Sequence, residues 1–271
     1  VSLEAETHTR SLPSFPLFLT RLFLFDFFSI GILPIAEVMI FAILSVCLLR
    51  LGGHPMASAA IALIPEEVTV VLLSVAIKKG VVGSEWGTNH ATLFWSWRHF
   101  AYFFAQDCFF VWCQRPLAFC AGTVLANSIL RWMGCHIGRG TIVIQPMHCS
   151  DWNAVSFGND CVVDGFLQFH TFENMTLKVK RTHIQDGSTV AFGATVMGGS
   201  VIERNTTLLP LSLVLKEMNM ITATYEGSPA EPAIAALPPA IASRRRDDER
   251  AELTGDAGIG QKDHRRTKLM A

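Results

Sequence analysis

From Ile184 onward the chain places an aliphatic residue at every sixth position: Ile184, Val190, Val196, Ile202, Leu208 and Val214. A second column runs four places further on, through Ser188, Ala194, Ser200, Thr206 and Ser212, all small, with Thr182 fitting upstream. This register excludes an α-helix, because six residues turn a helix by about 600° and move its face by about 240° at each step. A meander of hairpins would need turn residues at wider, irregular spacing. A three-sided coil satisfies both columns. Each six residues form one short strand and one corner; the aliphatic side chain fills the prism, and the small one faces inward where a corner leaves little room. Stacked coils then bury a continuous column that no single coil buries alone.

The pattern reaches upstream with one dislocation. Ile137, Val143, Cys149 and Val155 recur in sixes, whereas Phe157, Val163 and Phe169 form a run offset by two. The offset predicts an irregular corner near Asp151 to Ala154. Ile137-Gly138 and Phe157-Gly158 place glycine after the inward residue, where the corner is expected to need a positive φ. Between Phe169 and Thr182 the repeat breaks, so residues 170–182 are expected to leave the prism as an excursion loop. The reading gives a β-helix of about four coils across residues 135–231.

The first half is made of different material. Half of all residues are hydrophobic and 17% are charged, against about 25% charged in ordinary soluble domains, and the deficit concentrates in residues 11–82. Residues 27–49 carry one charge, Glu37, and exceed the roughly 20 apolar residues that span a bilayer. Residues 56–77 form a second candidate span, with Glu66 and Glu67 directly after Pro65. That proline is expected to open a new helix with both glutamates in its first turn. LGGHP between the spans suits a helical hairpin. Arg10 and Arg21 precede the hairpin and Lys78 and Lys79 follow it, which places both outer ends in the cytoplasm. The expectation is therefore a multi-pass membrane chain, residues 1–82, with the β-helix on the cytoplasmic side.

Residues 83–134 are rich in Phe and Trp. Trp95, Trp97, Tyr102 and Trp112 suit the headgroup region, while Arg98, Asp107 and Arg115 argue against a clean span, so 92–120 is expected as an interfacial or re-entrant helical pair. Trp95, Trp97, Arg98 and His99 are candidates for an acceptor pocket or for interface anchors. Residues 232–271 are charged and poor in aromatics, the composition of a disordered tail. The fold class is α + β: membrane and interfacial helices, then a parallel β-helix. A net charge of −1 and no basic patch with interleaved aromatics argue against nucleic acid as a partner. Seven cysteines without a C-x-x-C pair read as free thiols rather than a zinc site.

With the repeat in place, NSILRWMG at 127–134 followed by CHIGRGTIV, and the exit Tyr225 to Ala230 (YEGSPA), resemble the hexapeptide-repeat acyltransferase superfamily. GFLQFHTFE, PLSLVLKE and YEGSPAEP are more narrowly similar to the membrane-anchored terminal domain of non-ribosomal-peptide-synthetase-like proteins of the ε-poly-lysine synthetase type. The resemblance covers residues 90–232. It implies left-handed winding, and acyl-CoA or carrier-bound phosphopantetheine as donor. It also implies a small-molecule or peptide acceptor and donor sites between neighbouring β-helices. The chain departs from the narrower pattern in having one β-helix and no adenylation or carrier domain. A homotrimer, or a pseudo-trimer with sister β-helices served by a carrier domain, would then complete the site.

His170 is the leading catalytic candidate. It sits where the coil gives way to the excursion, and an imidazole titrating near about 6.5 suits removal of a proton from an amine or hydroxyl. The resemblance matches it to the family's histidine; the competing role is a loop histidine that merely hydrogen-bonds the backbone. Glu173 is the expected orienter of the ring. His148 and His183 lie in the same half, but their spacing does not resemble the three-histidine site of γ-class carbonic anhydrases, and no metal is expected. Lys178, Lys180 and Arg181 are candidates for the phosphates of coenzyme A or a phosphopantetheine arm, or else a solvated face. Glu37, Glu66 and Glu67 mark either an ion or substrate path or local pairing with arginine. Three functions stay open: an acyltransferase, a non-enzymatic trimerising scaffold at the membrane, and a small transporter in which the hairpin carboxylates rather than His170 control activity.

Overall fold

The computed structural model describes residues 15–83, 90–146, 149 and 151–233. The proposed tail beyond residue 233, Arg10 and His148 lie outside them.

Helix α1 (Phe15–Asp26) passes through a π-helical turn (Phe27–Ile32) into α2 (Leu33–Arg50), and α3 (Pro55–Ile77) ends in a second π-helical turn (Lys78–Val82). Leu33–Arg50 and Pro55–Val82 are each long and apolar enough to cross a membrane. Their outward faces carry Ile35, Val38, Ile43, Ile64 and Val68, all exposed, which is a surface that water does not favour. The regular α-helix of the first candidate span begins at Leu33, and residues 27–32 of the expected span form the π-helical turn before it.

Pro65 does not open a new helix; α3 runs through it. A proline inside a helix forfeits one backbone hydrogen bond, whereas breaking an apolar helix would strand several polar backbone groups. Glu66 and Glu67 are therefore mid-helix, and they are held by Arg115. Its Nη2 lies 2.8 Å from Glu37 Oε1 and 3.0 Å from Glu66 Oε1, and its Nε pairs with Glu67. One guanidinium ties three helices together, and the hairpin carboxylates are paired with arginine rather than strung along a path.

Residues 92–120 are not a helical pair. Strand β1 (His90–Leu93) leads into one helix, α4 (Trp97–Cys120), capped by Ser96, whose side chain accepts from the His99 N–H. Helix α5 (Val124–Trp132) follows, with Thr123 as N-cap. Its buried Ala126, Ile129 and Leu130 close the first end of the prism, and Asn127 Nδ2 donates to the Thr141 carbonyl at 2.7 Å.

The remaining strands are β2 (His136–Ile137), β3 (Ile142–Val143), β4 (Val155–Phe157), β5 (Val162–Val163), β6 (Phe166–Gln168), β7 (His170–Glu173), β8 (Thr176–Val179) and β9 (Thr182–Ile184). They continue with β10 (Thr189–Val190), β11 (Thr195–Met197), β12 (Val201–Ile202), β13 (Thr207–Leu208), β14 (Leu213–Val214), β15 (Asn219–Met220), β16 (Thr224–Glu226) and β17 (Glu231–Pro232). Apart from β7 and β8, they form three parallel sheets, β2-β4-β9-β12-β15, β3-β5-β10-β13-β16 and β6-β11-β14, with β17 antiparallel on β16. This is a parallel β-helix.

Both sequence columns point inward: Ile184, Val190, Val196, Ile202, Leu208 and Val214 are buried, as are Thr182, Ser188, Ala194, Ser200, Thr206 and Ser212. The small column does more than fit. Ser188 Oγ donates to the Glu203 carbonyl at 2.8 Å and Ser200 Oγ to the Leu215 carbonyl at 2.9 Å, so corner hydroxyls bind one coil to the next. The left-handed corner positions include Gly140, Asp160, Gly187, Gly193, Gly199, Asn205, Leu211 and Glu217, not Gly138 and Gly158. Those two are glycine because of close approach: a Cβ on Gly138 would lie 2.3 Å from the Gly158 carbonyl oxygen.

The excursion is ordered. Strands β7 and β8 form an antiparallel hairpin, and β1 pairs with β8 on its other edge. Asn174 and Met175 both have positive φ, the geometry of a two-residue hairpin turn that matches strand twist. Leu177 and Val179 anchor the hairpin in the core.

Candidate functional site

The site forms where α4, the irregular corner and the hairpin meet. The corner predicted at Asp151 to Ala154 is a 3₁₀ turn, Trp152–Ala154, fixed by the fully buried Trp152. Asp151 precedes the turn and is itself buried. His170 opens β7 directly after the buried Phe169, with its side chain 20% exposed. Its Nδ1 lies 2.6 Å from Asp151 Oδ2. The other carboxylate oxygen accepts from Tyr102 Oη, and from Gln106 Nε2 at 3.0 Å. Tyr102 and Gln106 are one turn apart on α4 and so share a face. The carboxylate of Asp151 is thus surrounded by donors, and Nε2 of His170 has no hydrogen-bond partner among the described residues. Phe172, 5.6 Å from the His170 ring, joins Phe94 and Phe103 in an aromatic wall beside it.

Electrostatics reinforce the pair. Burial opposes charge on His170, but the hydrogen bond and negative charge of Asp151 outweigh it, and the ring's pKa is raised above the ordinary value. Burial likewise opposes charge on Asp151, but His170, Tyr102 and the Lys78 charge hold its carboxyl below the usual range. By linkage, the raised His170 value contributes stability that is complete below the unfolded histidine pKa and is lost as pH rises through the folded one. The depressed Asp151 value contributes stability above the unfolded carboxyl pKa and loses it as pH falls through the folded one.

The other sequence candidates are distributed differently. Glu173 does not touch the His170 ring; it pairs with Lys178 Nζ at 2.8 Å and with Lys216. Those hydrogen bonds, Lys178 first, hold its pKa down to about 2. On a strand, residues three apart point to opposite faces, so His170 and Glu173 diverge. Lys180 pairs with Glu217. Arg181 turns away from both lysines, its Nη2 donating to the Asn153 carbonyl at 3.4 Å. The three cations therefore do not form one cluster. His183 Nδ1 lies 2.6 Å from Ser156 Oγ on the coil's outer face, and among the described residues no group of three His, Cys, Asp or Glu could hold a metal ion. His99 is buried against Phe94 and Phe103, while Trp97 is exposed and lines an apolar recess of about 360 Å³ with Leu24, Phe28, Phe100 and Phe104.

Asp151, Tyr102 and Gln106 are the residues that sequence reasoning missed. The repeat's offset pointed at Asp151, but only as a structural irregularity.

The class defined by fold and site is a parallel β-helix carrying an Asp–His pair against a helical half. No family model matches the chain, and no curated protein matches it. Among solved structures, it is similar to a hexapeptide-repeat acetyltransferase of Vibrio cholerae at 13% identity, over 40% of this chain and 78% of that chain, with a TM-score of 0.35. The complex of that acetyltransferase with acetyl coenzyme A gives 12%, 40%, 74% and 0.31. Serine acetyltransferase of Neisseria gonorrhoeae gives 15% identity over 70% of this chain and 75% of that chain, with a TM-score of 0.30. Superpositions this loose carry no functional weight, and function rests on the site.

Proposed function

We propose that this chain is a membrane-associated acyltransferase-like domain of the hexapeptide-repeat type, wound left-handed in about four coils. It passes an acyl or aminoacyl group from a pantetheine thioester to an amine or hydroxyl. The narrower resemblance, to the terminal domain of ε-poly-lysine-synthetase-type proteins, belongs to the same reading. The observation that carries it is the His170–Asp151 pair: Nδ1 is committed to a buried carboxylate, which leaves Nε2 at the partly exposed edge as the basic nitrogen.

The chemistry follows from that tautomer. His170 Nε2 takes the proton of the acceptor N–H or O–H as its lone pair attacks the thioester carbonyl. Asp151 steadies the imidazolium that forms, and main-chain N–H groups of the coil would steady the oxyanion. Collapse of the tetrahedral intermediate breaks the C–S bond, and the sulfur leaves with the proton from His170. Asp151 takes the orienting role assigned from sequence to Glu173. Lys178 and Lys180 stand on the hairpin rim, where donor phosphates would compete with Glu173 and Glu217; Arg181 faces elsewhere. A homotrimer, or sister β-helices with a carrier domain, would supply the opposing wall. The apolar outer faces of α2 and α3 support membrane placement, with the β-helix on the cytoplasmic side.

The test is transfer from acyl-CoA and from pantetheine thioesters across pH. Because the base must be neutral, the rate is expected to fall with decreasing pH. The limb should lie above about 6.5, the ordinary histidine value, in keeping with the raised pKa of His170. A chain that trimerises yet transfers no thioester at any pH would favour the scaffold.

A further inference from the structure

A cavity of about 480 Å³ lies between the end of the second candidate span and the first coil. Its wall includes Lys78, Lys79, Arg131 and Arg181, with His136 and Asn153 between them. No Asp or Glu lines it among the described residues. Two of the cations are fixed by neutral groups: Arg131 donates to the Ile137 carbonyl at 3.0 Å, and Arg181 to the Asn153 carbonyl. Arg131, Arg181 and Lys79 form no salt bridge with a carboxylate among the described residues. Arg181 also keeps Nε buried with no hydrogen-bond partner, a cost that a ligand oxygen would remove. Lys78 is buried and lies within the electrostatic reach of Asp151. Together with Asn153 it also lines a small space of about 10 Å³ against Tyr102, Gln106 and Asp151.

A concavity walled by one sign of charge focuses field on its contents, and guanidinium groups suit phosphate oxygens. We infer that this cavity binds a phosphate-bearing anion. Two sources share that chemistry. Lys78 and Lys79 end a helix long enough to cross a bilayer, which puts the cavity at headgroup depth if the hairpin spans, and basic pockets at that depth hold anionic headgroups. The other source is a soluble phosphate, such as the phosphate of a pantetheine arm. The cavity shares no lining residue with the Asp151–His170 pair and stands whether or not that pair transfers acyl groups.

The experiment is thermal unfolding of the full chain in a neutral detergent. Four additives are titrated: inorganic phosphate, short-chain phosphatidylglycerol below its micelle concentration, short-chain phosphatidylcholine, and chloride at matched ionic strength. A saturable rise in Tm with a phosphate-bearing anion, absent with chloride, is expected. Lys79→Gln, at an exposed position that leaves the fold intact, and Arg181→Gln should each raise the half-saturating concentration about tenfold, the scale of one charge-assisted hydrogen bond. Saturation by phosphatidylglycerol at lower concentration than by phosphate assigns the headgroup as source; the reverse assigns a soluble phosphate. The inference is overturned if neither inorganic phosphate nor phosphatidylglycerol gives a saturable rise, if phosphatidylcholine saturates as well as phosphatidylglycerol does, or if Lys79→Gln saturates as the unaltered chain does.

Discussion

His170→Ala is expected to lower kcat/KM for acyl transfer by about 10²–10⁴-fold, the contribution of a positioned general base. Far-UV circular dichroism and assembly should stay unchanged. The ring is not part of the apolar core that fills the prism, so the coils do not depend on it. Asp151→Asn should cost at least about 10²-fold, because an amide neither fixes the tautomer nor stabilises the imidazolium as a carboxylate does. Glu173→Gln should leave kcat/KM within a few fold, since that carboxylate is engaged by Lys178 and Lys216 rather than by the ring. The comparison separates the pair seen in the structure from the pair nearest in sequence. A Glu173→Gln loss matching that of Asp151→Asn would reverse the assignment, and an unchanged His170→Ala would remove the catalytic reading altogether.

The second large effect concerns the prism. Ile202 is fully buried and stands between Ile184 and Met220 in one sheet. Ile202→Ala should destabilise the β-helix by about 2–5 kcal/mol through lost transfer energy and the cavity left behind. Ile202→Asp should abolish folding of the β-helix, because a lone charge in that column has no partner and costs several kcal/mol against a total of about 5–15 kcal/mol. Val201→Asp, one residue away on the outer face, should cost far less. Denaturant midpoints decide the matter: comparable losses at 201 and 202 would show that the two positions do not alternate between inside and outside.

What the sequence made legible was whatever repeats. A stacked coil constrains every sixth residue in the same way, so the aliphatic and small columns could be read without any partner being known. The dislocation at Asp151 to Ala154 was legible as a place but not as chemistry. Its carboxylate meets His170, 19 residues on, only through the stacking of one coil on the next. Tyr102 and Gln106 arrive from a helix outside the repeat. Glu173 suits the orienting role only if residues 170–182 are a loop; in the strand they form, a spacing of three separates the side chains. The hairpin itself was hidden because Asn174-Met175 lacks the glycine that usually marks such a turn. Pro65 read as a breaker because it forfeits a backbone hydrogen bond, whereas α3 continues through it with the rest of its backbone bonds intact.

A buried, ionised Asp151 holding the ring of His170 is the feature on which catalysis by this chain would rest. Nuclear magnetic resonance titration of the His170 imidazole, in the isotope-labelled full chain in detergent micelles, measures this without knowledge of donor or acceptor. The predicted result is protonation centred above the ordinary histidine value, moving downward when Asp151 is replaced by Asn. An ordinary titration that ignores the Asp151 replacement would contradict it.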